Sequence, residues 1–230
     1  MTTHPDNYGQ IYNQLMRFFL EREIANFYEF LKSLDEGLGT RQLELSKNIE
    51  FSENDLNIIN NDEHRKELIN LKVEAEQVKS FTNLLRQSFL TSLYSFMELW
   101  FLRDCYLDSK HRDGGQSYNS IKGKGIDKAK IYFAKVKKSN YPFGTSQDWQ
   151  WIKYFQLLRD CIVHRQGSLT GFSDFEVDPN LEKFVHDDQG LNLFGINNNQ
   201  IFIEFEFCQK SLEIVHRFMI KVLAIETETN

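Results

Sequence analysis

The sequence predicts an all-α, α-dominated fold, and three observations carry that prediction. Prolines occur only at Pro5, Pro142 and Pro179, so long stretches are free of the residue that breaks helices. Apolar residues recur three and four apart over most of the chain, the period of a helix with one buried face. The departure from that period is a pair of short β-like runs near the C-terminus, which predicts a small hairpin rather than a sheet-based core. With 230 residues and an aromatic fraction of 14% that includes 20 Phe, the chain can bury a phenylalanine-rich core of useful size.

The first helix is expected from Tyr8 to Leu34, where Ile11, Leu15, Phe18, Phe19, Ile24, Phe27, Phe30 and Leu31 keep helical spacing. Gly37-Leu-Gly39 is its expected stop. After a polar stretch containing Asn57, Asn60 and Asn61, a second long helix is expected from near Asp62, through Leu68, Leu71, Val78 and Leu85, to about Leu107. Its second half, Ser88 to Leu102, is apolar around most of its circumference and therefore predicts a central helix packed on several sides. Asp113-Gly-Gly115 breaks the chain, and the lysine-rich stretch from Ser117 to Ser139 predicts a shorter helix around Ala129 and Phe133, closed by Asn140-Tyr-Pro-Phe-Gly144.

The next helix has the clearest signals. Thr145 or Ser146 is the expected N-cap and Asp148 complements the helix dipole in the first turn. Trp151, Phe155, Leu158 and Ile162 form one stripe, and Gly167 is the expected stop. Strands are expected over Leu191 to Ile196 and Gln200 to Phe207, joined by an Asn-rich turn, and a last helix over about Cys208 to Ile225, followed by a polar tail from Glu226 to Asn230. The expected division is an N-terminal helical extension, 1–80, and a helical domain, 81–230.

Composition narrows the function classes. A net charge of −6 argues against an indiscriminate nucleic-acid binder, which needs a broadly basic surface to displace counterions from phosphate. Any such contact has to be local. Cys105, Cys161 and Cys208 lie far apart without metal-ligand spacing and read as buried free thiols. No glycine-rich phosphate loop, nucleophile elbow or HExxH pattern occurs, so no cofactor and no metal are expected. The absence of an apolar run of eighteen residues, and of a signal-like start, leads to the expectation of a cytoplasmic protein that does not engage a membrane.

One short stretch carries most of the chemistry: Arg159-Asp160-Cys-Ile-Val-His164 at the end of the fourth expected helix. Asp160 and His164 are four apart and share a face, while Arg159 reaches round from the side. Upstream, Glu98 stands in the otherwise apolar Phe89-Leu-Thr-Ser-Leu-Tyr-Ser-Phe-Met-Glu98-Leu-Trp-Phe-Leu segment, where a carboxylate must reach a cleft or find a partner. Lys122, Lys124, Lys128, Lys130, Lys135, Lys137 and Lys138 supply a local basic stretch within an acidic chain.

Arg159-x4-His164 resembles the R-x4-6-H signature of the HEPN superfamily, with Asp160 as the polar residue that commonly follows the arginine. The Phe89–Leu102 segment resembles the family's long helix with an acidic residue, and Ile201-Phe-Ile-Glu-Phe-Glu-Phe-Cys resembles its lead into a closing helix. The resemblance covers roughly residues 80 to 225. It implies a HEPN-like helical bundle that pairs two copies about a two-fold axis and cleaves RNA without a metal ion. Carried to the matching positions, it implies His164 as proton carrier, Arg159 as the group that offsets charge on phosphorus, Asp160 as orienter of the imidazole, and Glu98 in support behind them. A histidine, with an ordinary pKa of about 6.5, suits both proton transfers. The lysines are the expected RNA-guiding surface. The resemblance also implies settings such as toxin–antitoxin pairs and antiviral defence, with a protein inhibitor as a partner. Some members carry a tyrosine two residues after the histidine, where this chain has Gln166. The rival expectation is a non-catalytic HEPN-like module for dimerisation or protein interaction, in which Arg159, Asp160 and His164 tie the helix end.

Overall fold

The computed structural model describes residues 6–56, 61–111, 117–170, 178–195 and 199–225. In chain order these form α1 (Asp6–Leu56), α2 (Asp62–His111), α3 (Gly125–Tyr132), α4 (Gln147–Arg165), α5 (Pro179–Asp187), β1 (Leu191–Phe194), β2 (Gln200–Ile203) and α6 (Phe205–Ile225). The architecture is α-dominated with a small C-terminal hairpin, as the sequence predicts. The expected breaks at Asn57, Asn60 and 113–115, most of the Asn-rich turn, and the tail at 226–230 lie outside the described residues. No helix among them is long and apolar enough to cross a membrane.

α1 departs most from expectation, because it runs straight through Gly37 and Gly39 to Leu56. The cause is tertiary. Leu34, Leu38, Leu45 and Ile49 continue an apolar seam at steps of four and seven residues, and α2 meets it with Leu68, Leu71, Ala75 and Val78 in the manner of an antiparallel coiled coil. The register is tied by Arg41 to Glu74, by Lys72 Nζ to Glu53 at 2.7 Å, and by Gln42 Nε2 to Thr82 Oγ1 at 3.4 Å. Both glycines face open space. A helical glycine costs only about 1 kcal/mol relative to alanine, which a continuous packed seam outweighs.

Nearer its start α1 belongs to the main core. Leu20, Ile24 and Leu31 are buried with Phe89, Leu93 and Met97 of α2 and with Val215 and Met219 of α6. Phe27 packs edge-on against Phe89 at 5.8 Å, and His216 Nε2 of α6 meets Glu21 of α1 at 2.9 Å. Cys105, Cys161 and Cys208 are buried free thiols. Burial raises Cys161 to about 11 and Cys208 to about 12, so both stay protonated.

The hairpin pairs Leu191 with Ile203 and Phe194 with Gln200. The outer edge of β2 is closed by other parts of the chain. Gly167 O accepts from Ile201 N, Asn83 on α2 bonds both Ile201 O (3.0 Å) and Ile203 N (2.9 Å), and Arg86 bonds Ile203 O. The unpaired strand edge therefore finds its partners inside the molecule. The second strand is shorter than expected. Phe205 to Phe207, which alternate like a strand, open α6 instead, because Phe207, Ser211, Leu212 and Val215 are buried at helical spacing. Gly190 makes room for that turn, since a Cβ there would stand 2.8 Å from Phe207 Cβ.

α5 is an element the sequence reading did not anticipate. Asp178 caps it by accepting from Asn180 N at 2.8 Å, Pro179 sits in its first turn, and Leu181, Phe184 and Val185 bury its inner face.

Candidate functional site

α4 is fixed at both ends by the residues that frame it. Ser146, rather than Thr145, is the cap, with its hydroxyl accepting from Trp149 N. Asp148 does more than complement the dipole: Arg217 Nη2 reaches it at 2.6 Å and Lys221 Nζ at 2.8 Å, so α6 clamps the start of α4. Burial alone would raise the Asp148 carboxyl, but the bonds from Arg217 and Lys221 outweigh it and hold it below its ordinary value. At the other end the helix stops at Arg165, two residues before Gly167, with Gln166 itself left-handed at φ 53°. Gly167 (φ 75°) then lies so close to α2 that an added Cβ would stand 2.6 Å from Gln87 Nε2. That contact, together with Tyr94 packed edge-on against Phe155 at 5.5 Å, sets α2 and α4 antiparallel.

Within this frame Arg159 and Asp160 are together and His164 is separate. Arg159 Nη1 donates to Asp160 Oδ1 at 2.8 Å. The guanidinium lies over the Tyr94 ring, 5.6 Å from its centroid. Asp160 therefore spends a carboxylate oxygen on Arg159, and no hydrogen bond joins it to His164 among the described residues. His164 is exposed and carries no hydrogen bond or ion pair there. Two atoms behind the cluster are buried without a hydrogen-bond partner among the described residues, Tyr94 Oη and Arg159 Nε. Burial pushes the Tyr94 phenol far above its ordinary value, the charges of Glu98 and Asp160 add to this, and Arg159 opposes it. Tyr94 is thus a protonated hydroxyl among charged groups of α2 and α4, a member of the site that sequence reading missed because a tyrosine in an apolar run looks like core.

Glu98 lies one turn beyond Tyr94 on α2 and is half-buried. It does not bond Arg159 or His164. Its carboxylate rests against the first residue of α3, where a Cβ on Gly125 (φ 52°) would stand 2.3 Å from Oε1. α3 is in turn tied to α4 by Lys153 Nζ, which donates to Asp127 at 2.7 Å and to Gln156 at 2.6 Å.

The lysines divide into three groups. Lys122, Lys124, Lys135 and Lys138 are exposed. Lys128 and Lys130 are half-buried, with their ammonium groups over the rings of Tyr118 (4.3 Å) and Trp149 (5.1 Å). Lys137 corrects the expectation of a uniform basic surface: its Nζ donates to Asp104 at 2.6 Å, and 6% of the lysine and 5% of the aspartate side chain are exposed. It is a core ion pair and not a surface charge. Tyr118, Tyr132 and Tyr141 are buried and pack in the core.

α2 and α4 also leave apolar side chains exposed. Val163 of α4 is 45% exposed, and Leu84 and Leu99 of α2 are 57% and 64% exposed. Between those leucines, Ser88, Thr91 and Ser95 turn their hydroxyls onto the backbone carbonyls of their own helix, leaving a low surface whose donors are satisfied. Among the described residues no group of three or more His, Cys, Asp or Glu is placed to hold a metal ion. Comparison with protein-family models, with curated proteins and with solved structures finds no match to this chain.

Proposed function

We propose that the protein is a metal-independent endoribonuclease of HEPN type, in which two copies pair across the exposed α2/α4 face to build one cleft. The observation that carries the reading is the unpartnered, exposed His164, one turn beyond Asp160 on the helix that also carries Arg159, with Leu84, Leu99 and Val163 left exposed on α2 and α4. Exposed apolar residues around a polar cluster are what a second subunit covers. Two-fold pairing places the same patch of each copy against the other.

In this mechanism His164 of one copy takes the proton from a ribose 2′-hydroxyl as the 2′-oxygen bonds to phosphorus. The bond from phosphorus to the 5′-oxygen breaks, and the second copy's imidazolium gives that oxygen its proton. Arg159 stands opposite the charge that gathers on the phosphoryl oxygens. Asp160 sets the direction of the Arg159 guanidinium, and the Tyr94 ring supports it from below. The products are a 2′,3′-cyclic phosphate and a 5′-hydroxyl. DNA, which has no 2′-hydroxyl, stays intact. Such an activity in the cytoplasm limits growth and calls for a protein inhibitor, as in a toxin–antitoxin pair or an antiviral response. The test is end mapping of RNA incubated with the protein in excess EDTA, with matched DNA as control. Cyclic phosphate ends are expected, and cleavage that requires added metal or leaves 5′-phosphates contradicts the mechanism.

A second reading has its own support. The Arg159–Asp160 pair already satisfies part of the guanidinium, which favours a non-catalytic module that uses the same face for dimerisation or protein binding. It predicts a dimer that cuts no RNA and whose assembly tolerates His164→Ala.

A further inference from the structure

Beside the Arg159–His164 cluster runs an open groove of about 620 Å³, bounded by α4, the 143–144 turn, Lys130 of α3 and the first turn of α5. On α4 it is lined by Lys153, Gln156, Leu157 and Asp160. These residues stand three and four apart on the stripe that reaches His164 one turn later. Groove and cluster therefore share Asp160, and His164 lies roughly 10 Å beyond Leu157 along the helix axis.

The lining is unlike a phosphate site. Lys130 and Lys153 are matched by Asp160 and Asp178, and Lys153 is already engaged by Asp127 and Gln156. A groove without net positive charge does not displace counterions from a phosphate backbone. What it offers is the half-buried ring of Tyr154, with the rims of the buried Phe143 and Trp149 at its floor, and the exposed side-chain amides of Gln150 and Asn180. An amide carries a donor and an acceptor side by side, which matches the edge of an unpaired base, and aromatic rings supply its stacking partner. Tyr154 is fixed by stacking one face on Phe184 at 9° and 5.1 Å.

We infer that this groove binds an unpaired nucleobase adjacent to the nucleotide cut at the Arg159–His164 cluster, so that the substrate is single-stranded RNA. The inference rests on the ribonuclease reading for what happens next to the base, not for the base contact itself. A base inside a duplex is excluded, because its edge is paired and its faces are covered.

Gly144 gives a clean test. It lines the groove, its φ is not in the left-handed region, and nothing lies within 4 Å of an added Cβ, so Gly144→Trp fills the groove without backbone strain. The probe is a fluorescent, single-stranded 2′-O-methyl oligonucleotide of mixed sequence, which cannot be cut. It is compared with the same strand carrying abasic positions. The expected result is at least a tenfold loss of affinity in Gly144→Trp, about the contribution of one stacked base. A similar loss is expected for the abasic strand on wild type, and no further loss for it on Gly144→Trp. The double variant Gln150→Ala/Asn180→Ala, at two exposed positions, gives the same loss and replaces Gly144→Trp if that chain fails to fold. Equal affinity of wild type and these variants, or of intact and abasic strands, overturns the inference. If that happens while unmodified RNA is still cut, the groove assignment alone fails. Base-dependent binding with no cleavage of unmodified RNA leaves the groove in place and removes the ribonuclease reading.

Discussion

Lys137 and Lys135 stand two apart in one basic run, yet they live in different dielectric worlds. Lys135 is exposed, whereas Lys137 is buried against Asp104. Removing one member of a buried pair strands the other, so Lys137→Met should destabilise the protein by about 3–5 kcal/mol in denaturant titration. Lys135→Met should change stability by no more than about 0.5 kcal/mol. Nothing local separates the two, because the partner that buries Lys137 is 33 residues away on another helix. Asp148 adds a pH dependence at the same scale. Its native carboxyl lies below the ordinary 3.8, so the α4–α6 clamp is complete above that value. It is lost as pH falls through the lower native value. The melting temperature of wild type should exceed that of Asp148→Asn at neutral pH, and the gap should close in acid below 3.8. A gap that persists there contradicts the clamp. In the candidate site, Arg159 and His164 stand out in the sequence because an arginine and a histidine at a helix end are conspicuous. Tyr94 does not, because its role follows from which ring lies beneath Arg159.

Local signals frame α4, whereas the extent of α1 and the start of α6 are set by distant packing, and the local start signal of α5, Asp178-Pro179, precedes too short a segment to stand out by periodicity. α4 announces itself through Ser146, Asp148 and Gly167, and the structure agrees to within a residue or two at each end. The sequence predicts a stop of α1 at Gly37 and Gly39, because two glycines in three residues outweigh helical spacing when no partner helix is in view. With α2 alongside, the seam continues. The glycines then become a stability reserve. Both face open space without a left-handed φ, so Gly37→Ala and Gly39→Ala should each raise stability by up to about 1 kcal/mol, measured by thermal or denaturant unfolding. A loss of stability would show that the helix does not continue there. The misread start of α6 has a related cause: Phe205-Glu-Phe207 fits a period of two as well as the first turn of a helix, and only burial of Ser211, Leu212 and Val215 decides between them.

At the scale of the whole molecule, one copy holds its candidate residues on an open face rather than in a closed cleft. Arg159 is supported and directed by Tyr94 and Asp160, while His164 is free to meet a second chain. The proposed chemistry needs two histidines, one to take a proton and one to give it, and a single copy places one at the site. The activity should therefore belong to the dimer. The most direct test measures the rate of RNA cleavage in excess EDTA for wild type and His164→Ala over a protein dilution series. The account predicts cleavage by wild type alone, with the rate per chain falling as dilution separates the copies. Equal cleavage by both proteins, or an inert wild type that is demonstrably dimeric on single-stranded RNA, contradicts it.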